Sequence, residues 1–472
     1  MKTRKNMSPT KILLLGMIFI ILIGTLILKL PISNKPEKRI SMLDAFFTST
    51  SAVCVTGLVT KVPAEQFSDF GKIIIICLIQ IGGLGFMTLI SLILTFIGRK
   101  INLSDRIIIK ESLNQDDTSG MVKLIKSVCK YAFSFEILGA LLLSIRFIPQ
   151  FGLKRGAFYS IFHSISAFCN AGFDILGSNS LINYGTDKLI SITIMGLIIV
   201  GGLGFTVWSD IFAVLKKEIR HKLRIKRIFR KLSLHTKIVL VMTVILLISG
   251  TIIFYCLEHN SKYIMEKDSF GTKILKAAFQ STTLRTAGFA SVNQTELTTA
   301  SKFISICFMF IGGSPASTSG GIKTTTLAVL VLCVTSVIKG KNEINAFGKS
   351  ISFEVLKRAI VIFTISILLV IFATVILLVT EISFQEERLH SNITKITAFS
   401  FIDLFFEVVS AFGTVGLTLN VTTKLSVVGK IVIAIMMLIG RLGPITISVA
   451  LFKKNKEKGE EKLYPPGNIL IG

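Results

Sequence analysis

The chain has 472 residues, of which 51% are hydrophobic and 17% are charged, and its formal net charge at pH 7 is +26. A soluble domain would carry about 25% charged residues, and a disordered chain would be far less hydrophobic. A nucleic-acid-binding protein of this charge would also be less hydrophobic. We therefore expect an all-α polytopic membrane protein with basic loops.

Eight apolar segments are about as long as the roughly 20 residues that a transmembrane helix needs, or longer. They are residues 12–30, 73–97, 128–148, 189–215, 238–257, 303–338 (long and interrupted), 359–379 and 427–452. We interpret the first as a retained span, because it is too long for the core of a signal peptide. Four shorter, more polar stretches between the spans each end near a glycine, and such stretches suit re-entrant loops that protein shields from lipid.

Basic residues indicate the orientation of these spans. Most of them fall in five clusters, at residues 2–11, 99–126, 216–237, 339–358 and 453–462. With eight spans and four re-entrant loops, all five clusters lie on one side, which the positive-inside rule makes cytoplasmic. Both termini are then cytoplasmic. The third cluster could alternatively bind nucleic acid, but contact with anionic lipid headgroups is the ordinary role of basic residues beside a span.

An internal repeat occurs four times without gaps. The windows 46–58, 161–173, 277–289 and 405–417 read FFTSTSAVCVTGL, IFHSISAFCNAGF, AAFQSTTLRTAGF and FFEVVSAFGTVGL. One column holds a hydroxyl side chain in every window, namely Ser51, Ser166, Thr282 and Ser410. The penultimate column is always glycine, namely Gly57, Gly172, Gly288 and Gly416.

A second motif follows each window, and its first glycine comes 24 to 29 residues after the glycine of the window. It reads IGGLGF at 81–86, VGGLGF at 200–205, IGGSPA at 311–316 and IGRLGP at 439–444. We expect each motif to lie within the next long helix. Helix packing would explain a single motif. Two motifs that recur in register four times predict four helix–pore-loop–helix repeats around one pseudo-fourfold pore, with eight transmembrane helices.

The predicted domains follow these repeats. Residues 1–100 form pore repeat one, 101–215 repeat two, 216–237 a basic cytoplasmic linker, 238–340 repeat three, 341–452 repeat four and 453–472 a cytoplasmic tail. Glycine in each loop lets backbone carbonyls turn toward the axis, where rings of carbonyls replace the hydration shell of an ion. No ring of Asp or Glu lines the aligned windows, so we expect carbonyl coordination of a monovalent cation.

These motifs resemble the Trk/Ktr/HKT superfamily of potassium transporters, and within it the bacterial KtrB type of ion-conducting subunit. The resemblance runs from SPTKILLLG near the N-terminus to IGRLGP in the last span. It implies that each repeat contributes one strand of a potassium filter. The implied filter residues are Val55, Thr56, Gly57, Asn170, Ala171, Gly172, Thr286, Ala287, Gly288, Thr414, Val415 and Gly416. Serine at the first glycine is associated with sodium transport in related plant proteins, so Gly57 implies potassium selectivity.

The third repeat contains a run that cannot remain regular helix. Its members are Gly312, Gly313, Ser314, Pro315, Ala316, Ser317, Thr318, Ser319, Gly320 and Gly321. Irregular backbone at this depth lines a cavity or packs against protein, so the run is either a gate beside the filter or a static kink. The resemblance implies a gate, with Lys323 close by and with Arg441 approaching the run as part of the barrier.

Charged residues at membrane depth are functional candidates because they are costly there. We expect Arg285 to brace its loop through hydrogen bonds to carbonyls. Lys323 would pair with an acid such as Asp210 or face the cytoplasmic mouth. Asp174 would concentrate cations at the outer mouth or be a solvated loop residue.

The resemblance also implies partners and a location. It implies a homodimer in the lipid bilayer of the bacterial plasma membrane, resting on a cytoplasmic ring of RCK-type, KtrA-like nucleotide-binding subunits, with sodium as a candidate activator and no nucleic acid. Potassium uptake would be driven by the membrane potential, which supplies about 2.3 kcal/mol per charge per 100 mV.

Two other function classes compete with a pore. A sodium- or proton-coupled secondary transporter is the alternative, although the repeats of such proteins are usually inverted and larger. A membrane enzyme is disfavoured because the chain contains no nucleotide-binding loop, nucleophile elbow or HExxH motif. Its seven scattered cysteines include no CxxC pair, so neither a disulfide framework nor a zinc site is expected.

Overall fold

The computed structural model describes residues 9–85, 88, 121–218, 225–261, 264–266, 268–341, 343–390, 399–444 and 446–447, which are mostly helical. The predicted tail 453–472, most of the basic clusters 2–11 and 99–126, and part of the linker 216–237 lie outside these ranges.

Helices make up nearly all of the regular structure in the described ranges. They are α1 (Pro9–Lys29), α2 (Met42–Val53), α3 (Pro63–Gln66), α4 (Asp69–Leu84), α5 (Met121–Phe151), α6 (Leu153–Phe168), α7 (Lys188–Gly202), α8 (Phe205–Glu218), α9 (Ile225–Lys231), α10 (Leu234–Glu258), α11 (Phe270–Thr283), α12 (Thr299–Phe310), α13 (Thr324–Ile338), α14 (Phe353–His390), α15 (Phe401–Gly413) and α16 (Val427–Leu442). An antiparallel hairpin of β1 (Ile344–Ala346) and β2 (Lys349–Ile351) follows α13. Short 3₁₀ turns occur at Pro31–Ser33, Ile182–Tyr184, Gln294–Glu296 and Thr422–Lys424.

Four of the described helices are long and apolar enough to cross a membrane, namely Pro9–Lys29, Ile125–Phe151, Leu234–Glu258 and Phe353–Glu381. The pair α7 and α8 would be a fifth span, bent by 93° between its two helices. The predicted interrupted span 303–338 corresponds to the two shorter apolar helices α12 and α13. The predicted spans 73–97 and 427–452 run beyond the described residues, so the count of eight stays a prediction.

The helices that follow the pore loops end at the second motif instead of continuing through it. Gly85, Gly204 and Gly443 have φ of 83°, 94° and 87°, which helical backbone does not adopt. The helices α4, α7 and α16 accordingly end one or two residues before these glycines, and α12 ends just before the third motif. The expectation that each motif lies within a long helix was therefore wrong.

The first glycine of the motif allows these helices to pack closely against the pore helices. A methyl group on Gly82, Gly201 or Gly440 would overlap a backbone carbonyl oxygen in or just beside the last turn of a pore helix. These oxygens belong to Val53, Phe168 and Phe412, respectively. Small residues permit such backbone contact between membrane helices, so this glycine holds the pore helix against the helix that follows it.

Buried glutamates of two long helices cap the helices that follow the third and fourth pore loops. Glu381, which is fully buried, accepts hydrogen bonds from Ser426 N at 3.0 Å and from Ser426 Oγ at 2.6 Å, at the start of α16. Glu258 accepts from Thr298 N and Thr298 Oγ1, both at 2.9 Å, at the start of α12. Each carboxylate therefore satisfies the otherwise unpaired donors of a helix N-terminus.

Replacing Glu381 by alanine should lower the thermal stability of the protein in detergent. The substitution leaves two donors of Ser426 buried without partners, which costs about 1–3 kcal/mol. Glu354→Ala is the matched control, because Glu354 lies in the first turn of the same helix and is exposed. Melting of both variants would be followed by intrinsic fluorescence, and a wild-type melting temperature for E381A would contradict the capping role.

Candidate functional site

Four short helices end where the four pore loops begin. They are α2, α6, α11 and α15, which end at Val53, Phe168, Thr283 and Gly413. Two residues before each loop glycine, the backbone takes a positive φ. The angles are 57° at Val55, 59° at Asn170, 61° at Thr286 and 51° at Thr414. The same uncommon turn therefore occurs in all four loops, beside the partly negative end of a helix.

The loop glycines form a closed cycle of contacts. A methyl group added to any of them would overlap a backbone carbonyl oxygen of the next loop. The pairs are Gly57 with Ala171 O, Gly172 with Ala287 O, Gly288 with Val415 O and Gly416 with Thr56 O. Because the last pair joins loop four to loop one, the loops meet in chain order around one axis. The φ angles of these glycines lie between 66° and 95°, so only glycine fits them without strain.

An ion pair also joins the first and fourth repeats. Lys430 Nζ in α16 lies 2.8 Å from Asp44 Oδ1 at the start of α2, across 386 residues of sequence. Both side chains are largely buried, with 16% and 9% of their surfaces exposed. This contact supports the closed order of the loops independently of the glycines.

Backbone hydrogen bonds hold each loop to its own helix. Three loops share one pattern, in which a donor bonds the carbonyl five positions earlier. These bonds are Thr56 N to Ser51 O at 2.8 Å, Ala171 N to Ser166 O at 2.7 Å and Val415 N to Ser410 O at 2.8 Å. In the third loop, Ala287 N bonds Thr283 O, only four positions earlier, at 2.9 Å.

The third pore helix is therefore one residue out of register with the gap-free alignment. Thr283 Oγ1 donates to Phe289 O at 2.7 Å. Ser166 and Ser410 make the corresponding bonds to Phe173 O at 2.7 Å and Leu417 O at 2.6 Å. Thr283 thus occupies the hydroxyl position that the sequence alignment assigned to Thr282.

One polar side chain in the ring has no protein partner. Thr56 Oγ1 is buried and makes no hydrogen bond within the part of the chain that the structure describes. Its backbone oxygen is the one that faces Gly416. A buried hydroxyl without a partner is uncommon, and this one belongs to a residue whose backbone contacts the neighbouring loop.

The irregular run of the third repeat forms a compact loop at residues 311–323, named here the intramembrane loop. Its ends pair with each other, since Gly312 N donates to Ile322 O at 2.8 Å and Thr324 N donates to Gly313 O at 3.0 Å. Ser314, Thr318 and Ser319 are fully buried or nearly so. The loop is thus an ordered element enclosed by protein.

The intramembrane loop contacts the pore loops at the residues that precede the glycines. Gly320 N donates to Thr414 Oγ1 at 3.0 Å, and Thr318 Oγ1 donates to Asn170 Oδ1 at 3.3 Å. The loop also bonds the second motif of repeat two, because Ser314 N donates to Gly202 O at 3.0 Å. It therefore lies against the ring on the side of the residues before the glycines.

Arg441 joins the intramembrane loop to the first repeat. Its guanidinium donates hydrogen bonds to Thr318 O on the loop, to Gly82 O, and to Gly83 O, the last at 3.1 Å. The fork geometry of arginine allows it to bond several carbonyls at once. Arg441 thus spans from α16 across the loop to the end of α4.

The other predicted charged residues have partners that the sequence did not identify. Arg285 Nη2 donates to Thr243 Oγ1 in α10 at 3.3 Å, so the guanidinium bonds a hydroxyl of the preceding long helix instead of the expected carbonyls. Lys323 Nζ donates to Ser319 O within the intramembrane loop at 2.7 Å. Asp210, its suggested partner, instead accepts from Ser233 N and Thr236 Oγ1. Asp174 is partly buried just beyond Gly172.

A buried polar cluster behind the second pore loop was missed in the sequence. Glu136 in α5 accepts two hydrogen bonds from Gln80 Nε2, at 3.0 and 3.2 Å. Cys169, which precedes the second loop, donates to Gln80 Oε1 at 3.6 Å. The sequence does contain a signal for this cluster. Glu136 is an acidic residue inside the predicted span 128–148, and ionisable residues within a span are functional candidates.

The chain matches the TrkH family of cation transport proteins over residues 2–462. It is 39% identical to the potassium/sodium uptake protein NtpJ of Enterococcus hirae, over 100% of this chain and 99% of that protein. It is 37% identical to the Ktr system potassium uptake protein B of Bacillus subtilis, over 98% of this chain and 97% of that protein.

The fold is similar to a solved structure as well. The crystal structure of the potassium transporter TrkH from Vibrio parahaemolyticus superposes with a TM-score of 0.71 at 18% identity. The superposition covers 96% of this chain and 86% of that chain. At this identity the match shows a shared fold.

Proposed function

The chain belongs to the TrkH family of cation transport proteins, and from this membership we propose that it takes up potassium through the ring of four pore loops. The family is one of membrane-spanning transporters and not of enzymes. The cycle of contacts between loop glycines and carbonyls carries the proposal, because it leaves no room for side chains between neighbouring loops. The backbone itself then lines the ring, as in carbonyl filters.

The proposed ligands are the carbonyl groups of the residues at and before the four loop glycines. The positive φ at the second residue before each glycine repeats one backbone geometry four times. The unpartnered hydroxyl of Thr56 adds an oxygen ligand in the first loop. Four helix ends contribute partial negative charge, which favours cations. We propose the plasma membrane as the location, with both termini in the cytoplasm.

The intramembrane loop is proposed as the gate. It contacts the pore loops next to the glycines, and Arg441 joins it to the first repeat. A potassium ion that has passed the ring meets this loop and a guanidinium charge. The loop must move for conduction, and the membrane potential then drives uptake.

A regulatory partner would act on the position of this loop. The proposed assembly is a homodimer on a cytoplasmic ring of RCK-type nucleotide-binding subunits. The Bacillus subtilis relative is named as protein B of a Ktr system, which supports the existence of further subunits. The proposed docking surface includes the cytoplasmic loops and residues 453–472.

Expression in a bacterium that lacks its own potassium uptake systems tests the proposed function. We expect the chain, supplied with its regulatory partner, to restore growth at limiting potassium and to carry rubidium as a tracer. An empty vector and the partner alone are the controls. Absence of both growth and tracer uptake, with the protein present in the membrane, would refute the proposal.

Deleting residues 312–321 should raise potassium flux through the chain without its partner by about tenfold, because several buried hydrogen bonds of about 0.5–1.5 kcal/mol each hold the loop in place. Flux would be measured in liposomes that contain the purified full-length chain, with elution volume as the check on folding. A folded deletion variant whose flux equals that of the wild type and still responds to the partner would show that the loop is a static kink.

A coupled transporter is the second candidate, and one observation favours testing it. The Enterococcus hirae relative is named for both potassium and sodium uptake. Potassium uptake would therefore be measured with and without sodium in the medium. A requirement for sodium, with sodium entering in fixed proportion to potassium, would indicate coupling; a requirement without sodium entry would indicate activation.

A further inference from the structure

Asn170 has the most extensive polar contacts of the four residues that precede the loop glycines by two positions. Its counterparts are Val55, Thr286 and Thr414, and all four have positive φ. Asparagine tolerates this backbone region better than most residues. Its side chain is also buried, with 1% of the residue exposed, so its amide requires partners inside the protein.

The Asn170 amide bonds two elements at once. Nδ2 donates to Arg285 O at 3.2 Å and to Thr286 Oγ1 at 3.3 Å, both in the third pore loop. The same nitrogen donates to Ser319 Oγ at 3.1 Å in the intramembrane loop. Oδ1 accepts from Thr318 Oγ1, also in the intramembrane loop, at 3.3 Å. One side chain of the second pore loop therefore joins the third pore loop to the intramembrane loop.

The second motif of repeat two leaves space for this side chain. A methyl group on Gly201 would lie 2.9 Å from Asn170 Oδ1, besides overlapping Phe168 O. One on Gly202 would lie 3.6 Å from Asn170 Nδ2. Glycine at position 201 thus leaves room for the amide at the end of α7, whereas a methyl group at position 202 would make an ordinary contact with it.

On the opposite side of the ring, the intramembrane loop is held by the fourth pore loop. Because the loops meet in chain order, loops two and four lie across the axis from each other. The hydrogen bond there runs from Gly320 N to Thr414 Oγ1 at 3.0 Å. Among the hydrogen bonds of the described residues, those of the Asn170 amide connect the intramembrane loop to two adjacent pore loops through one side chain.

We propose that Asn170 is a positioning residue that couples the intramembrane loop to the shape of the ring. This inference rests on the proposed function of the ring and the loop. When the intramembrane loop leaves its position, Asn170 loses Ser319 and Thr318 as partners. Its amide then keeps only its bonds to Arg285 O and Thr286 Oγ1. The rotamer of Asn170 is less restrained, and the carbonyl of Arg285 is held less firmly. Opening the loop therefore changes ion selectivity as well as ion access.

Asn170→Gly tests the coupling directly. Glycine accepts positive φ, so the variant removes the amide and preserves the turn. Asn420→Gly is the matched control, because Asn420 also has a positive φ, of 62°, and is exposed. In liposomes, we expect N170G to raise potassium flux about tenfold and to reduce the preference for potassium over sodium. N420G should leave both values unchanged.

A double-mutant cycle separates coupling from a general loss of stability. Ser319→Ala removes a single hydroxyl and should shift flux and selectivity in the same direction as N170G, by less. Because the two residues share one contact, the double variant should differ little from N170G alone. Independent, additive effects in the double variant would overturn the proposal. So would raised flux in N170G with unchanged selectivity.

Hydrogen exchange of the purified full-length chain gives a result that does not depend on transport. We expect faster exchange in N170G at residues 312–321 and at residues 285–288, with N420G matching the wild type. Unchanged exchange at residues 285–288 would overturn the coupling even if the protein conducts potassium. If exchange is faster in both segments but the wild-type protein carries no potassium, the coupling is supported and the proposed function is refuted.

Discussion

Gly416→Ala is expected to lower potassium uptake by at least about tenfold, since forcing an unfavourable backbone conformation costs about 1–3 kcal/mol. Gly416 has a φ of 93°, and a methyl group there would overlap Thr56 O of the first loop. Alanine therefore strains its own backbone and pushes the carbonyl of a neighbouring repeat out of place. The effect should appear in selectivity as well as in rate, because the displaced atom is one of the proposed ligands.

Gly196→Ala is the matched control for this substitution. Gly196 lies inside α7, and a methyl group there would meet nothing within 4 Å. Alanine should be neutral or slightly stabilising at this site, because it has a higher helix propensity than glycine. Uptake of rubidium by cells that depend on each variant for potassium provides the measurement. Wild-type uptake by G416A would show that the ring does not form the conduction path.

A companion variant at the first loop addresses the choice of ion. Gly57→Ser places a side chain against Ala171 O, at the position where related plant proteins that carry sodium have serine. We expect lower potassium uptake and a larger share of sodium. Equal preference for potassium in G57S and the wild type would show that Gly57 does not determine ion selectivity.

Arg441→Ala is expected to raise potassium flux through the chain alone by about tenfold, because a buried charge-assisted hydrogen bond contributes about 1.5–3 kcal/mol. The guanidinium holds the intramembrane loop through Thr318 O and holds α4 through Gly82 O and Gly83 O. Its loss both releases the loop and removes a positive charge from the proposed path. Liposome flux measured as a function of membrane potential is the assay.

Two further variants distinguish the roles of charge and bracing. Arg441→Lys keeps the charge but lacks the planar fork that bonds several carbonyls. If the flux of this variant is close to that of the wild type, the positive charge rather than the hydrogen bonds forms the barrier. Lys323→Met should have a smaller effect, because Lys323 Nζ bonds Ser319 O within the loop itself. Flux in a folded R441A variant that is no higher than in the wild type would contradict a barrier at this residue.

The third repeat shows where prediction from the sequence reached its limit. The pattern of hydroxyl and glycine columns identified all four loops, because close packing of a pore helix needs small residues at regular positions. It placed Thr282 in the column that Thr283 occupies, since the last turn of α11 is one residue tighter before the loop. An alignment without gaps cannot detect this change, which appears in the backbone bond of Ala287 N to Thr283 O and in the side-chain bond of Thr283 Oγ1 to Phe289 O.

The charged residues show a second limit. Their presence in apolar segments marked Arg285, Lys323 and Arg441 as functional candidates. It did not predict which residues their side chains contact. Arg285 bonds Thr243, which is 42 residues away in the sequence, and Arg441 bonds Gly82, which is 359 residues away. Such partners depend on how distant helices pack, and neither periodicity nor motif spacing contains that information.

The sequence by itself determined the class of the protein, several of its apolar spans, and the glycines that the loops and helix ends require. These properties follow from local physics, namely the length of an apolar helix and the freedom of φ at glycine. Only the tertiary structure decided that loop four meets loop one, that Asn170 bonds the intramembrane loop, and that the second helices end at their glycine motifs. Those features arise from backbone contacts between residues far apart in the chain, where one position in register or one rotamer changes the partner.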